Sequence, residues 1–127
     1  MLKNILIIDD DKRLRDLLKE YLSEKKYNIY QSDDFTSGKE AIEYFIFDLI
    51  IIDRMMPSGD GINLVNIIKE KNNTPVILLT AMGESENRIE GLKFGADDYV
   101  SKPFEPEELF LRIKKLLKLF DSKKYKS

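Results

Sequence analysis

Four short apolar runs constrain the fold of this chain more than any other feature of its sequence. Each run is rich in Ile, Leu or Val and is bounded by polar or turn residues. Such runs are typical of strands that are buried on both faces of a sheet. They are Ile5–Ile8, Leu49–Ile52, Val76–Leu79 and the weaker Tyr99–Val100, and a fifth strand is predicted at Asn28–Gln31.

Segments with the helical spacing of apolar residues separate these strands. Gly95 is suited to end the fourth of them, and Pro106 is suited to the first turn of the last. The five predicted helices cover Leu14–Leu22, Ser37–Phe45, Ile62–Ile68, Glu84–Phe94 and Leu109–Phe120. Alternating strands and helices predict an α/β fold, a doubly wound five-stranded parallel sheet with helices on both faces. Its ligand site should lie beyond the carboxyl ends of the strands.

Composition limits the size and the chemistry of the protein. The 127 residues fit one domain, and 21 basic against 23 acidic residues disfavour DNA binding by this domain alone. Without Cys or His the chain has no disulfide, no zinc–thiolate site and no imidazole catalysis. No apolar run approaches the roughly 20 residues of a membrane span, and Met1–Asn4 does not begin a signal peptide. We therefore expect a cytoplasmic protein with no membrane partner.

Polar residues follow the predicted strands at the ends that a parallel sheet would bring together. The first strand leads into Asp9, Asp10 and Asp11, and the third leads into Asp53. The fourth and fifth strands lead into Thr80–Ala81 and, after Ser101, into Lys102–Pro103. Carboxylates this close would repel one another by about 4 kcal/mol per pair at 4 Å. We therefore expect a compensating group at this edge of the sheet.

A hard divalent cation is the natural compensating group, because only oxygen ligands are available. Mg²⁺ binds a few carboxylates and commonly shares its coordination shell with a phosphoryl oxygen. Lys102 adds a positive charge and Thr80 a hydroxyl donor, as phosphoryl binding requires. The carboxylate that stands apart, Asp53, can then act as a nucleophile and form an acyl phosphate.

Four separated motifs resemble the receiver domain of bacterial response regulators. They are Ile5–Asp11, Asp53–Pro57, Leu79–Ala81 and Lys102–Phe104, and the resemblance extends over roughly residues 3 to 120. It implies a CheY-like fold, also called flavodoxin-like, with strand order 2-1-3-4-5, and a phosphoryl donor that is a sensor histidine kinase. Such a domain catalyses its own phosphorylation and dephosphorylation but does not turn over an external substrate. Residues 1–121 would form the receiver domain.

The resemblance also assigns roles to individual residues. Asp53 would be the phosphoacceptor, and Lys102, Thr80 and the backbone amide of Ala81 would contact the phosphoryl group. Asp11 would cap the first helix, and the Lys102–Pro103 peptide would be cis. Thr80 and Tyr99 would form the switch, with the Tyr99 ring turning inward as Thr80 moves toward the phosphoryl group. The ligands of Mg²⁺ would be Asp9, Asp10, Asp53 and the backbone carbonyl of Met55.

The segment from Gly95 to Leu109 narrows the resemblance to the OmpR/PhoB subfamily of transcription factors. Its members dimerise on phosphorylation through the fourth helix, fifth strand and fifth helix, and bind DNA through a separate C-terminal domain. Residues 122–127 would be a tail or the start of a linker to that domain, which is absent here; the alternative is a stand-alone receiver that acts as a phosphorelay or docking adaptor. Leu119 stands where a basic partner of Asp97 is often found. The expected dimer face comprises Arg88, Ile89, Leu92, Asp97, Asp98, Glu108, Phe110 and Arg112, with Arg88–Glu108 and Asp98–Arg112 as ion pairs.

Three other interpretations share parts of this pattern. A flavodoxin-type electron carrier needs a hydroxyl- and glycine-rich loop after the first strand, where this chain has acidic residues that repel a flavin phosphate. A haloacid-dehalogenase-type phosphatase would use Asp9 and Asp11, but would leave Asp53 and Lys102 without a role. A receiver fold used only for docking would need no Mg²⁺ at the acidic pair.

Overall fold

The computed structural model describes residues 1–81 and 95–124. Five parallel strands form one sheet in the order β2-β1-β3-β6-β7, which confirms the predicted fold class and strand order. The strands are β1 (Asn4–Ile8), β2 (Asn28–Ser32), β3 (Leu49–Asp53), β4 (Met55–Met56), β5 (Gly59–Asp60), β6 (Val76–Ala81) and β7 (Asp98–Lys102). The helices are α1 (Lys12–Glu24), α2 (Phe35–Tyr44), α3 (Gly61–Lys71) and the C-terminal helix (Pro106–Lys124).

The sheet separates two hydrophobic cores because successive side chains of a strand point to opposite faces. On one face, Ile5 and Ile7 pack with residues of α1 and the C-terminal helix such as Leu18 and Ile113. On the other face, Leu6 and Ile8 pack with residues of α2 and α3. The central strands are therefore almost wholly buried, as their continuous apolar runs predicted.

Aspartates fix the starts of three helices. The side chain of Asp11 accepts a hydrogen bond from Leu14 N, and Asp34 and Asp60 accept similar bonds at the starts of α2 and α3. Such caps satisfy backbone N–H groups that have no partner within the helix. The cap confirms the predicted role of Asp11. Because Asp11 directly follows Asp9 and Asp10, helix α1 begins immediately after these two carboxylates.

The structure differs from the sequence-based expectation at several element boundaries. Strand β2 is half-exposed, since it lies at an edge of the sheet. The small antiparallel hairpin β4–β5 was not predicted. The C-terminal helix continues to Lys124, so residues 122–124 of the predicted tail are helical. The predicted helix Glu84–Phe94 lies outside the described residues. None of the described helices has both the length and the apolar character that a membrane crossing requires.

Candidate functional site

Three carboxylates meet at the carboxyl ends of β1 and β3. Asp9, Asp10 and Asp53 each place an oxygen within 4.8 Å of the others. Asp9 is fully buried and Asp53 is 6% exposed, whereas Asp10 is open to solvent. The adjacency follows from the fold, because β1 and β3 are hydrogen-bonded neighbours in register from Ile5–Leu49 to Ile8–Ile52. The predicted acidic cluster is therefore present in the structure.

Lys102 brings a positive charge into this cluster from the end of β7. Its Nζ lies 2.9 Å from Asp9 Oδ2 and 3.6 Å from Asp53 Oδ2. The other oxygen of Asp9 accepts a hydrogen bond from Asp11 N at 2.9 Å. Both oxygens of Asp9 are thus engaged, and the Lys102 side chain reaches from β7 to the ends of β1 and β3, neither of which is a neighbour of β7 in the sheet. The Lys102–Pro103 peptide is cis, as expected.

The pKa of Asp53 is raised to about 7, first because the carboxyl is buried and second because Asp9 carries a negative charge beside it. Lys102 and the Met55 N–H act in the opposite direction and do not fully compensate. Burial lowers the pKa of Lys102, but the hydrogen bond and charge of Asp9, followed by the charges of Asp53 and Asp11, raise it overall. Negative charge therefore dominates the site, and an additional cation would stabilise the ionised form of Asp53.

Thr80 and Tyr99 form a buried pair behind the carboxylates. The Thr80 and Tyr99 hydroxyls are joined by a short hydrogen bond, and the residues are 1% and 6% exposed. The pair is aligned because β6 and β7 are neighbours, with Leu78 opposite Tyr99 and Thr80 opposite Ser101. Tyr99 therefore lies inward in this structure, which is the orientation that the sequence analysis assigned to the phosphorylated form.

A shallow cleft gives access to Asp53 from solvent. Asp53 lines it together with Leu14 of α1 and Met55, which is 60% exposed. Lys102 and Ala81 also line the cleft. A phosphoryl donor could reach Asp53 through this cleft without displacing the core.

Four of the expected dimer-face residues do not share one environment: Asp98, Glu108 and Arg112 line a common groove, whereas Phe110 packs against aromatic rings. Asp98 and Arg112 form an ion pair within the chain at 2.9 Å, beside Glu108 in a common groove. Phe110 is half-buried against Tyr21 and Tyr27, with ring centroids 6.5 and 6.2 Å apart. Phe110 is thus engaged within the chain through its ring, and its place on a dimer face stays a prediction. Arg88, Ile89 and Leu92 lie outside the described residues.

The structure also identifies residues that the sequence analysis missed. Asp97 is bound within the chain by Lys69, whose Nζ lies 2.6 Å from Asp97 Oδ2 and 2.8 Å from the Thr74 carbonyl. Lys69 of α3 is thus a basic partner of Asp97 within the chain, and no sequence pattern predicted it, because the two residues are 28 positions apart. Leu111, 54% exposed, lines the groove with Glu108 and Arg112. Helical spacing from Glu108 could have identified it, because residues three apart share a face.

Comparisons with known proteins agree with this architecture. The transcriptional regulatory protein ResD of Bacillus subtilis is 47% identical over 117 residues, which cover 90% of this chain and 48% of ResD. SrrA of Staphylococcus aureus, also a transcriptional regulatory protein, is 44% identical over 121 residues, covering 93% of this chain and 49% of SrrA. This chain therefore spans about half the length of these curated relatives.

Solved structures show the same fold. The receiver domain of the Francisella response regulator 1452 has a TM-score of 0.86 at 40% identity, covering 93% of this chain and 98% of that domain. A CheY-like receiver domain protein from Methanospirillum hungatei has a TM-score of 0.91 at 30% identity, covering 97% and 99%. The family model described as the response regulator receiver domain matches residues 5–114. With its acidic cluster, lysine and threonine at the expected strand ends, this chain belongs to the receiver domains of two-component response regulators.

Proposed function

We propose that Asp53 accepts a phosphoryl group from a phosphohistidine of a sensor histidine kinase, and that Lys102 and Thr80 bind that group. The observation that carries the proposal is the position of Lys102, whose Nζ lies between Asp9 and Asp53 at 2.9 and 3.6 Å. A cation in this place can neutralise negative charge that accumulates on Asp53 as the phosphoryl group arrives.

In the proposed reaction, a carboxylate oxygen of Asp53 attacks the phosphorus atom of the phosphohistidine. An O–P bond forms, the N–P bond breaks, and its electron pair stays on the imidazole nitrogen of the kinase. Lys102 and the hydroxyl of Thr80 bind the transferred oxygens, together with the backbone amide of Ala81. The chain contains no His, so the phosphohistidine has to come from another protein.

Mg²⁺ fits the donor set of this site. The carboxylates of Asp9, Asp10 and Asp53 would hold it together with the backbone carbonyl of Met55, and all of these are the oxygen ligands that Mg²⁺ prefers. Burial and, after it, the negative charge of Asp9 raise the pKa of Asp53 to about 7. Bound Mg²⁺ would supply the positive charge that keeps Asp53 ionised and reduces its repulsion of an anionic donor.

The Thr80–Tyr99 pair would transmit the modification to the surface. The hydroxyls of Thr80 and Tyr99 are hydrogen-bonded, and Tyr99 lines a second groove together with Phe104, Glu108 and Arg112. A shift of Thr80 toward the phosphoryl group would therefore change the packing of Tyr99 and the shape of this groove. By analogy with its transcriptional regulatory relatives, we propose an OmpR/PhoB-type regulator that dimerises through this face and binds DNA through a further domain.

Incubation with acetyl phosphate and Mg²⁺ tests the proposal. We expect one phosphoryl group per chain, sensitive to hydroxylamine and located on Asp53 by peptide mass spectrometry. Asp53→Asn should remove it, whereas the matched control Asp33→Asn, an exposed aspartate that does not belong to the acidic cluster, should retain it. Chelation of Mg²⁺ should prevent labelling. Labelling of Asp53→Asn at the wild-type rate, or sustained turnover of phosphoesters, would contradict the assignment.

A further inference from the structure

We propose that the outer edge of β2 pairs with β2 of a second copy of this chain. The result would be a two-fold dimer with a continuous ten-stranded sheet, formed whether or not Asp53 is phosphorylated. This interface is separate from the groove of Glu108 and Arg112, so the inference goes beyond the proposed phosphotransfer.

The outer side of β2 presents open backbone hydrogen-bonding groups. Asn28 N donates to Lys3 O at 2.9 Å, and Ser32 O accepts from Asp9 N at 3.1 Å, so these residues turn their backbone groups toward β1. Alternation along a strand therefore directs the N–H and C=O groups of Ile29 and Gln31 to the opposite side. In residues 1–81 and 95–124 no strand pairs with β2 on that side. Such an edge is a template for another strand.

This edge lacks the features that usually prevent pairing. Sheet edges are commonly protected by charged side chains, by Pro or by bulges. The five residues Asn28–Ser32 include no charged residue and no Pro. The other edge strand, β7, begins at Asp98, ends at Lys102 and is followed directly by Pro103. The β2 edge therefore lacks the charged residues and the proline that protect the β7 edge from pairing with another strand.

An apolar surface lies beside the open edge. Tyr30 is 50% exposed, and Tyr44, Phe45 and Ile46 at the end of α2 are 77%, 65% and 75% exposed. The Tyr30 ring contacts the ring of the buried Phe47, with centroids 5.7 Å apart. Tyr30, Phe45 and Ile46 line one continuous groove above the sheet. Contiguous exposed apolar residues of this kind mark interaction surfaces.

Charge and register select a second copy as the occupant. Lys25 and Lys26 precede β2, and Asp33 and Asp34 follow it. An antiparallel two-fold centred on Tyr30 brings the end of β2 that follows Lys25 and Lys26 beside the end of the second β2 that precedes Asp33 and Asp34, so opposite charges approach each other at both ends. The same register pairs Ile29 with Gln31, whose open backbone groups then bond to each other. The two Tyr30 side chains face each other at a non-hydrogen-bonded position, where cross-strand side chains approach most closely.

Sedimentation velocity over a concentration series tests this interface. We expect a reversible dimer of the wild-type chain and of Asp53→Asn, and Tyr30→Lys should raise its dissociation constant at least about tenfold, which is 1.4 kcal/mol. Leu17→Lys is the matched control, since it places the same charge on α1 at a residue that is also 50% exposed and belongs to neither proposed interface. Its dissociation constant should change less than about twofold. Circular dichroism verifies that both variants remain folded.

Charge exchange provides a second, independent measurement. Lys26→Asp should weaken the dimer, because it places like charges next to each other at both ends of the paired strands. Adding Asp33→Lys in the same chain should restore the dimer, because the charges on both sides of each contact are then reversed. Hydrogen exchange at the Ile29 and Gln31 amides should slow as dimer forms. A chain that is monomeric at every soluble concentration overturns the proposal. So does a dimer that survives Tyr30→Lys, or one in which the double exchange restores nothing.

Discussion

Lys102 Nζ forms an ion pair at 2.9 Å with Asp9, a carboxylate that has no exposed surface. The two residues are 93 positions apart in the chain, and the contact exists only because β1 and β7 both end at the same edge of the sheet. Removing one partner of such a pair leaves the other as an uncompensated buried charge. This relationship makes Lys102 important for stability as well as for the proposed phosphotransfer.

We therefore expect Lys102→Met to lower the free energy of unfolding by about 3 kcal/mol and to slow labelling of Asp53 by about a hundredfold. Urea denaturation and acetyl phosphate labelling measure the two effects. Lys12→Met is the control, since Lys12 pairs with Asp16 on the surface, where both side chains are more than half exposed. Lys12→Met should lower the free energy of unfolding by less than about 1 kcal/mol. An equal loss of stability in the two variants would contradict a special role for the buried pair of Lys102 and Asp9.

Asp53→Asn should stabilise the protein in the presence of a chelator, in a way that depends on pH. The folded-state pKa of Asp53 is raised from 3.8 to about 7 by burial and by Asp9, so ionisation of Asp53 disfavours the folded state. The wild type should match the variant near pH 4 and lose relative stability as the pH rises through about 7. Above that pH the difference should be about 2 kcal/mol, allowing for partial screening by solvent.

Urea denaturation at pH 4, 6 and 8 measures this difference, with Asp33→Asn as a control that should show none. Saturating Mg²⁺ should reduce the advantage of Asp53→Asn, because a cation favours the ionised carboxylate of the wild type. A pH-independent difference between wild type and variant would show that the crowded carboxylates do not carry the effect.

Lys69→Met should destabilise the fold although Lys69 is remote from the phosphoacceptor. Asp97 Oδ2 accepts bonds from Lys69 Nζ at 2.6 Å and from Val76 N at 2.8 Å, which joins α3 to the starts of β6 and β7. Methionine keeps the apolar stem and removes the charge. We expect a loss of about 2 kcal/mol in thermal or urea unfolding.

Lys3→Met is the matched control for this prediction, because its ion pair with Asp121 is more exposed, at 36% and 44%. Its cost should not exceed about 1 kcal/mol. Phosphorylation of Asp53 should persist in Lys69→Met under conditions where the variant is folded. If the variant were as stable as the wild type, Asp97 would not depend on Lys69.

Met55→Asn should shorten the lifetime of the phosphorylated protein. Met55 lies two residues after Asp53 at the mouth of the same cleft, and its apolar side chain cannot orient an attacking water molecule. An amide in this place can form one hydrogen bond to that water. If the bond stabilises the transition state by about 1 kcal/mol, hydrolysis becomes about fivefold faster. Loss of label after removal of acetyl phosphate measures the rate. Met55→Leu should keep the wild-type lifetime, and an equal acceleration in both variants would contradict the role of the amide.

The sequence by itself determined the fold class, the strand order by resemblance, and the residues of the acidic cluster. It could do so because buried parallel strands are continuous apolar runs, and because parallel strands place their carboxyl ends at one edge. We could therefore predict, without knowledge of any side-chain contact, that four residues lie close together: Asp9, Asp53, Thr80 and Lys102. The cap at Asp11 and the cis peptide at Pro103 were expected from the resemblance, and both suit the residue types, because Asp is common at helix N-caps and only X–Pro bonds adopt the cis form readily.

Only the tertiary structure decided which residues far apart in the chain contact each other. Phe110 and Leu111 are adjacent apolar residues of one helix, and packing alone sends Phe110 toward Tyr21 and leaves Leu111 in the groove. The choice of Lys69 as the partner of Asp97 also depends on how α3 packs against the sheet. The open edge of β2 follows from strand order, because backbone groups are left unpaired by position and not by residue type.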